Sequence, residues 1–342
     1  MTSPLLTRPG AVAAAEPDSD VAAHYGEPVQ EGRAMDRSAA WIDRGNRGVV
    51  RVSGPDRLGW LNDLTSQDVA RAEPGTATEA LILDTKGHIR FHLSLLEDGE
   101  AVWIHTEPGA GAELAAFLDS MRFMLRVEIE DLGDTRAVLT LAGPDREAAL
   151  SLIPDLGAAL PVRRTDSGTD LFLPAGSLEE AASALTDAGI RAAGMQAYEA
   201  ARIADHRPRL GVDTDHRSIP HEMGWVGPAV HLEKGCYPGQ ETVARVHNLG
   251  RPPRRLVLLH LDGTVERLPE RGAAIELDGR SVGVAGSSAR HHELGPIALG
   301  LVKRTVPVET QFAVDGIAAG QEVVVDPDTG ANADIRLRRR PA

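Results

Sequence analysis

Apolar positions recur along this chain with two different periods, and the alternation between them marks out the elements. GVVRVSG (48–54) reads as a strand. PDRLGWLNDLTSQDV follows it and reads as a helix, with proline at its start and Leu58, Leu61 and Leu64 at i, i+3 and i+6. EALILD (79–84) and HIRFHLSLLE (88–97) are two strands joined by Thr85-Lys86-Gly87. In the second of them Ile89, Phe91, Leu93 and Leu95 share one face, while Arg90, His92 and Ser94 take the other. AVWIHT adds a third strand, an Ala-rich helix covers about 111–123, and RVEIED follows as a strand.

The same logic continues through RAVLTLAG (136–143), a helix in PDREAALSLI, a strand in TDLFLP (169–174), and helices in SLEEAASALTDAG and MQAYEAARIADH. Ser177 suits an N-cap, Glu179 and Glu180 sit in the first turn, and Gly189 suits a stop. Strands and helices mix without long parallel runs, which favours α+β units with antiparallel sheets. From about Arg254 the helical pattern disappears. Short strands separated by Asp-Gly turns predict a small β-barrel or sandwich, with the boundary at Gly250-Arg251-Pro252-Pro253. The expected organisation is a disordered arm over 1–37, a first α+β unit over 38–135 that also uses part of 190–250, a second over 136–250, and a C-terminal β-barrel over 251–342.

A chain of 342 residues supports more than one core. Its net charge of −14 opposes a nucleic-acid backbone. Two arginine clusters, Arg251, Arg254 and Arg255, then Arg336, Arg338, Arg339 and Arg340, read as solvated surface, so nucleic acid is not an expected partner. No apolar run is long enough to span a membrane, and the N-terminus has no secretory pattern. The single cysteine excludes an intramolecular disulfide and a thiolate-rich metal site. A reducing, cytoplasmic compartment is expected.

That cysteine lies in EKGCYPGQETVAR (233–245). Tyr237-Pro238-Gly239-Gln240 fits a type II turn, with proline presetting φ and glycine supplying a positive φ. Lys234, two residues from Cys236, is placed to favour a thiolate, and Gln240 and Glu241 offer a polar pair to a ligand. Spacing alone leaves two readings open: a reactive thiol or a buried packing cysteine.

KGCYPGQE (234–241) closely resembles the signature of the YgfZ family of folate-binding proteins, relatives of the glycine-cleavage T-protein, an aminomethyltransferase. ARIADHRPRLGVD (201–213), IPHEMGW (219–225) and TVARVHNLG (242–250) resemble the family's flanking segments. The resemblance covers most of the chain from about Ser38. It implies two ferredoxin-like α+β units around a central channel for tetrahydrofolate, plus a C-terminal β-barrel. It also implies an accessory role in iron–sulfur cluster assembly or repair, indirectly supporting tRNA modification, with iron–sulfur client or assembly proteins as partners.

By the same resemblance, Asp170 in SGTDLF corresponds to the acid that holds the pterin ring, one methylene shorter than the related enzymes' glutamate. Arg202 corresponds to the family's helix arginine, whereas Ala204 and His206 depart from the pattern after it. Tyr237, Gln240 and Glu241 are further cofactor-binding candidates, and Cys236, Lys234 and His92 the catalytic ones. His92 stands where the aminomethyltransferases carry an aspartate, which counts against their chemistry; imidazole can still exchange a proton near neutrality. His92 also reads as a packing histidine, and Asp170 as the start of a strand after a turn. Two alternatives remain: a folate-dependent aminomethyltransferase or demethylase acting on a small amine, and a non-catalytic folate-binding scaffold.

Overall fold

The computed structural model describes residues 2–153 and 160–330. In chain order, the first elements are β1 (Val12–Ala13), β2 (Ala22–His24) and α1 (Pro28–Arg37). β3 (Ala40–Arg44) follows, then β4 (Arg47–Ser53), α2 (Arg57–Leu64), β5 (Ala77–Leu83), β6 (Ile89–Glu97), β7 (Ala101–Pro108), α3 (Gly111–Met121) and β8 (Glu128–Asp131). Next come β9 (Arg136–Ala142), α4 (Arg146–Leu150), β10 (Val162–Thr165), β11 (Gly168–Pro174), α5 (Leu178–Asp187), β12 (Arg191–Ala193) and α6 (Met195–Ala204). The last are α7 (Gln240–Asn248), β13 (Arg254–Leu261), β14 (Ala274–Leu277), β15 (Arg280–His291), β16 (Gly295–Lys303), β17 (Gln311–Val314) and β18 (Ile317–Val323).

These elements build two five-stranded sheets and a closed barrel, an α+β architecture. The first sheet runs β5-β6-β7-β4-β8 and the second β10-β11-β9-β3-β12. α2 and α3 cover the first sheet, where Trp60, Leu61, Leu114 and Leu118 pack on Val50, Phe91, Leu93 and Ile104. α5 covers the second, where Leu178, Ala181, Ala182 and Leu185 pack on Leu139, Leu141, Leu171 and Leu173. The opposite faces of the two sheets meet through Val49, Leu96, Trp103, Val138 and Phe172, with the Trp103 and Phe172 rings 5.6 Å apart. The barrel closes in the order β13-β16-β15-β14-β17-β18 around Val257, Leu259, Ile275, Phe312 and Val314.

Three features differ from the expectation. β3 lies within the stretch expected as the first unit, yet it pairs with β9 and, in parallel, with β12 of the second sheet. A five-residue strand carries no local sign of its partner.

Residues 1–37 were expected as a disordered arm, but 2–37 are built into the second unit. Leu5 is fully buried beside Trp41 and Leu185. Asp18 accepts from the Arg209 guanidinium at 2.7 Å. The buried Glu31 carboxylate accepts from the backbone N–H groups of Tyr25, Glu27 and Gly194. It thereby satisfies donors at the entry to α1 and ties that entry to α6. Every one of these partners is remote in sequence or non-periodic, which is why composition suggested disorder.

Of the arginine cluster before the barrel, Arg251 is exposed as expected, but Arg254 and Arg255 are not. Arg254 is paired with Asp215 and Glu222, and Arg255 is fully buried, donating to the Val306 carbonyl and to Gln321. Arg251 pairs with Asp328. The Arg336–Arg340 run lies outside the described residues.

Candidate functional site

A polar cavity with a volume of about 290 Å³ lies against the two sheets. Alternation along each strand creates it. His92 and Ser94 on β6, His105 and Glu107 on β7, Thr140 on β9, Arg163 on β10 and Asp170 on β11 point inward between apolar neighbours. Arg44 ends β3, Arg47 begins β4, and Glu79 comes from β5. Tyr198 and Arg202 of α6, the 205–209 segment, and Met223, Gly224 and Trp225 complete the wall.

Asp170, 4% exposed, organises the floor. Its Oδ1 accepts from Thr140 Oγ1 at 2.7 Å, and its Oδ2 from His105 Nε2 at 3.1 Å and Arg163 at 2.9 Å. Arg44 stands 3.7 Å away. Burial pushes the carboxyl upward, but the His105 hydrogen bond and the Arg163 and Arg44 charges outweigh it and hold the group well below the ordinary range. The carboxylate is therefore ionised. A carboxylate has about four acceptor positions, and three are filled from within the protein, so about one is left for a ligand.

Burial drives His105 down to about 3, against the opposing pull of Asp170. It is neutral at ordinary pH, and since Asp170 can only accept, the proton sits on Nε2. Its Nδ1 has no hydrogen-bond partner among the described residues.

A second pair sits higher on the wall. His92 Nε2 lies 2.8 Å from Glu79 Oε2, and its ring stacks on Trp225 with centroids 4.8 Å apart. Burial raises the Glu79 carboxyl, yet His92, Arg163 and Arg207 overcome it and bring the group down to about 2. Glu79 is ionised and fixes the imidazole edge-on. A histidine held by a carboxylate on one side and an indole on the other is a positioned proton donor or acceptor.

Arg202 reaches the cavity wall but is committed within the protein. Its guanidinium pairs with Glu199 and, at 2.7 Å, with Asp213, and it donates to the Arg207 carbonyl. Arg209 is held by Asp18, Glu107 and Glu199, and Arg47 by Glu107. These ion pairs fix the wall.

The turn carrying the thiol lies elsewhere. Gly239 has φ 81° and ψ −3°, and Gln240 N donates to the Tyr237 carbonyl at 3.2 Å, which is the type II geometry. A side chain at Gly239 would meet the Asp84 carbonyl oxygen at 2.6 Å, so this turn is seated directly on the β5–β6 turn. Tyr237 is buried in the apolar cluster that contains Leu81, Leu83, Met223 and Trp225.

Lys234 Nζ donates to the Thr65 and Gln67 carbonyls at 2.6 and 3.0 Å and also to the Asn62 carbonyl. It thereby closes the C-terminus of α2. Burial lowers its pKa to about 8. Gln240 Nε2 donates to the Lys234 carbonyl, and Glu241 lies in the first turn of α7. Cys236 is exposed, which removes the packing-cysteine reading.

The structure therefore gathers Asp170, His92 and Arg202 around one cavity. Cys236, Lys234, Tyr237, Gln240 and Glu241 are not among its lining residues; Tyr237 and Gln240 border a separate depression with Val243 and His247. Sequence reasoning missed Glu79, His105, Arg163 and Trp225. Polar residues at alternate positions of successive strands, Glu79, His92 with Ser94, and His105 with Glu107, were the available signal.

Comparison with known proteins bears on this site. Residues 10–160 match the family model described as the GCVT N-terminal domain. The chain is 25% identical over 347 residues to an aminomethyltransferase of Herpetosiphon aurantiacus, covering 94% of this chain and 89% of that protein. It is 28% identical over 305 residues to an aminomethyltransferase of Parasynechococcus marenigrum, covering 80% and 82%. Its fold matches the crystal structure of the glycine cleavage system aminomethyltransferase T from Bartonella henselae with a TM-score of 0.80 and 20% identity, over 96% of this chain and 97% of that one.

Proposed function

We propose that this chain is a GCVT-like protein that binds tetrahydrofolate in the cavity between its two sheets and uses it in one-carbon transfer involving a small amine. The observation that carries the reading is the cavity itself: a polar pocket with a buried carboxylate on its floor, set in a fold shared with an aminomethyltransferase. The residues present suit a reduced folate. Asp170 offers one remaining acceptor position to a ring N–H donor, Trp225 and Tyr198 offer aromatic faces, and Arg207, paired only loosely with Asp205 at 3.6 Å, suits a carboxylate of the glutamate tail. Bound folate supplies an amine nitrogen that accepts or releases a one-carbon unit. The protein's part is to hold Asp170 ionised, to exclude water from the floor, and to exchange a proton at His92 Nδ1 while Glu79 holds the ring through Nε2. Aminomethyltransferase relatives over most of the chain support transfer chemistry more directly than any other role.

A second reading has its own observation. The KGCYPGQE turn holds Lys234, Tyr237 and Gly239 in scaffold contacts and leaves the Cys236 thiol exposed. Such a presented thiol supports an accessory role in iron–sulfur cluster assembly or repair, with folate as a bound ligand and a client protein as partner, in the manner of the YgfZ family.

The two readings separate cleanly. The purified protein is incubated with tetrahydrofolate and N-methyl or aminomethyl donors, and methylene-folate is measured. Product that disappears in His92→Ala supports transfer. Absence of product, together with loss of iron–sulfur enzyme activity in a deletion strain carrying Cys236→Ser, supports the accessory role.

A further inference from the structure

We infer that Asp36, His292 and Glu293 form a site for a divalent transition cation such as Zn²⁺, where the end of α1 meets the β15–β16 turn. The donor atoms of the three side chains all lie within 4.8 Å of one another. His292 Nε2 is 3.7 Å from Asp36 Oδ2 and 4.0 Å from Glu293 Oε1. Those gaps are too long for hydrogen bonds. They are about 0.3 and 0.6 Å wider than the separation of about 3.4 Å between ligands of a tetrahedral zinc.

The imidazole gives the independent evidence. Its side chain is only 4% exposed, and Nε2 has no hydrogen-bond partner among the described residues. A buried ring nitrogen without a partner is costly unless something occupies the position in front of it. The ring direction is set by the fold. A Cβ placed on Gly32 would lie 3.2 Å from His292 Nδ1, so the ring rests on α1 at Gly32. Gly32 and Asp36 are four apart and share one helix face, so the ring's far nitrogen is directed along that face to the Asp36 carboxylate.

The other side is fixed as well. His291 Nδ1 accepts from the backbone N–H groups of Glu293 and Leu294, both at 3.2 Å, which holds the turn that carries Glu293. The His291 and His292 rings lie 4.4 Å apart. One imidazole nitrogen, two carboxylate oxygens and a water make a ligand set suited to Zn²⁺.

Arg37 is the internal competitor. Its guanidinium contacts Glu293 at 2.6 Å and approaches Asp36 at 3.9 Å, and its side chain is 64% exposed. An exposed arginine swings into water at little cost, so the cation enters by displacing it. The consequence is a metal staple between the N-terminal segment and the barrel, remote in role from the folate cavity.

The test uses the full-length protein, stripped with a chelator and titrated calorimetrically with Zn²⁺ alone. A ligand lost should weaken binding at least about tenfold, since even changes to outer partners cost about 10–100-fold in affinity. Glu293→Gln and His292→Ala should each show that loss, and Arg37→Gln should bind more tightly than wild type. Zn²⁺ should raise the melting temperature of wild type and leave that of Glu293→Gln unmoved. Glu293 is exposed, so its amide variant folds whether or not His292→Ala does. Equal affinity and stoichiometry in wild type and Glu293→Gln would mean uptake elsewhere, for example at Cys236, and overturns the assignment.

Discussion

Replacing Asp170 by alanine removes the one anion that Arg163, Arg44, His105 and Thr140 share. Arg163 loses its partner at 2.9 Å, Thr140 its acceptor at 2.7 Å, and His105 its acceptor at 3.1 Å. All of them are buried. Removing one partner of a buried pair costs about 3–5 kcal/mol, because the uncompensated charge stays behind. Asp170→Asn keeps the volume and one oxygen but puts an N–H₂ against donors, so it falls toward the lower end of that range. Equilibrium urea unfolding reads both, followed by tryptophan fluorescence, to which Trp103 contributes from its packing on Phe172, two residues along β11 from Asp170. At 2–4 °C per kcal/mol, the alanine variant should also melt roughly 6–20 °C lower. A loss under about 1 kcal/mol in Asp170→Ala would refute the claim that this carboxylate holds the cavity floor together.

Three further outcomes follow from the same geometry. His105 is depressed to about 3 in the fold against 6.5 unfolded, so the unfolded chain takes up the proton first. Its contribution is complete above about pH 6.5 and is lost as pH falls toward 3, at up to about 1.4 kcal/mol per pH unit; His105→Phe should flatten that slope in urea titrations across the same window. Lys234→Met keeps the apolar stem and leaves carbonyls at the end of α2 without donors, so stability should fall by at least about 2 kcal/mol, while alkylation of the exposed Cys236 by iodoacetamide continues. Unchanged stability in Lys234→Met would remove the capping role. Trp225→Ala strips the face on which His92 stacks; the variant should fold with weakened folate binding, and unchanged affinity would show that this wall is not part of the site.

Local pattern carried the strands and most helices, because alternation along β5, β6 and β7 and the turn chemistry at Pro238-Gly239 are written in neighbouring residues. The barrel was legible for the same reason, down to its start at Arg254. What local pattern could not carry was partnership. The exchange of β3 into the second sheet, the burial of Leu5 and the clasp of Glu31 depend on residues remote in sequence or on backbone donors that no side chain announces. Within the site, the resemblance picked out Asp170 and His92, and the structure added the residues that hold them in place. Glu79, His105 and Arg163 look like ordinary surface polars in sequence, and only the meeting of two sheets turns them inward. Lys234 illustrates the converse: two residues from a thiol it suggested activation, but its ammonium is spent on the end of a helix.

The central claim is that the cavity between the sheets takes a reduced folate. It is tested most directly by calorimetric titration of the purified chain with tetrahydrofolate, alongside Ser94→Phe, which places a ring into the cavity from β6. The account predicts saturable heat and a raised melting temperature for wild type, and neither for a folded Ser94→Phe protein. No heat and no thermal shift in wild type at millimolar ligand, or equal binding by both proteins, would contradict it.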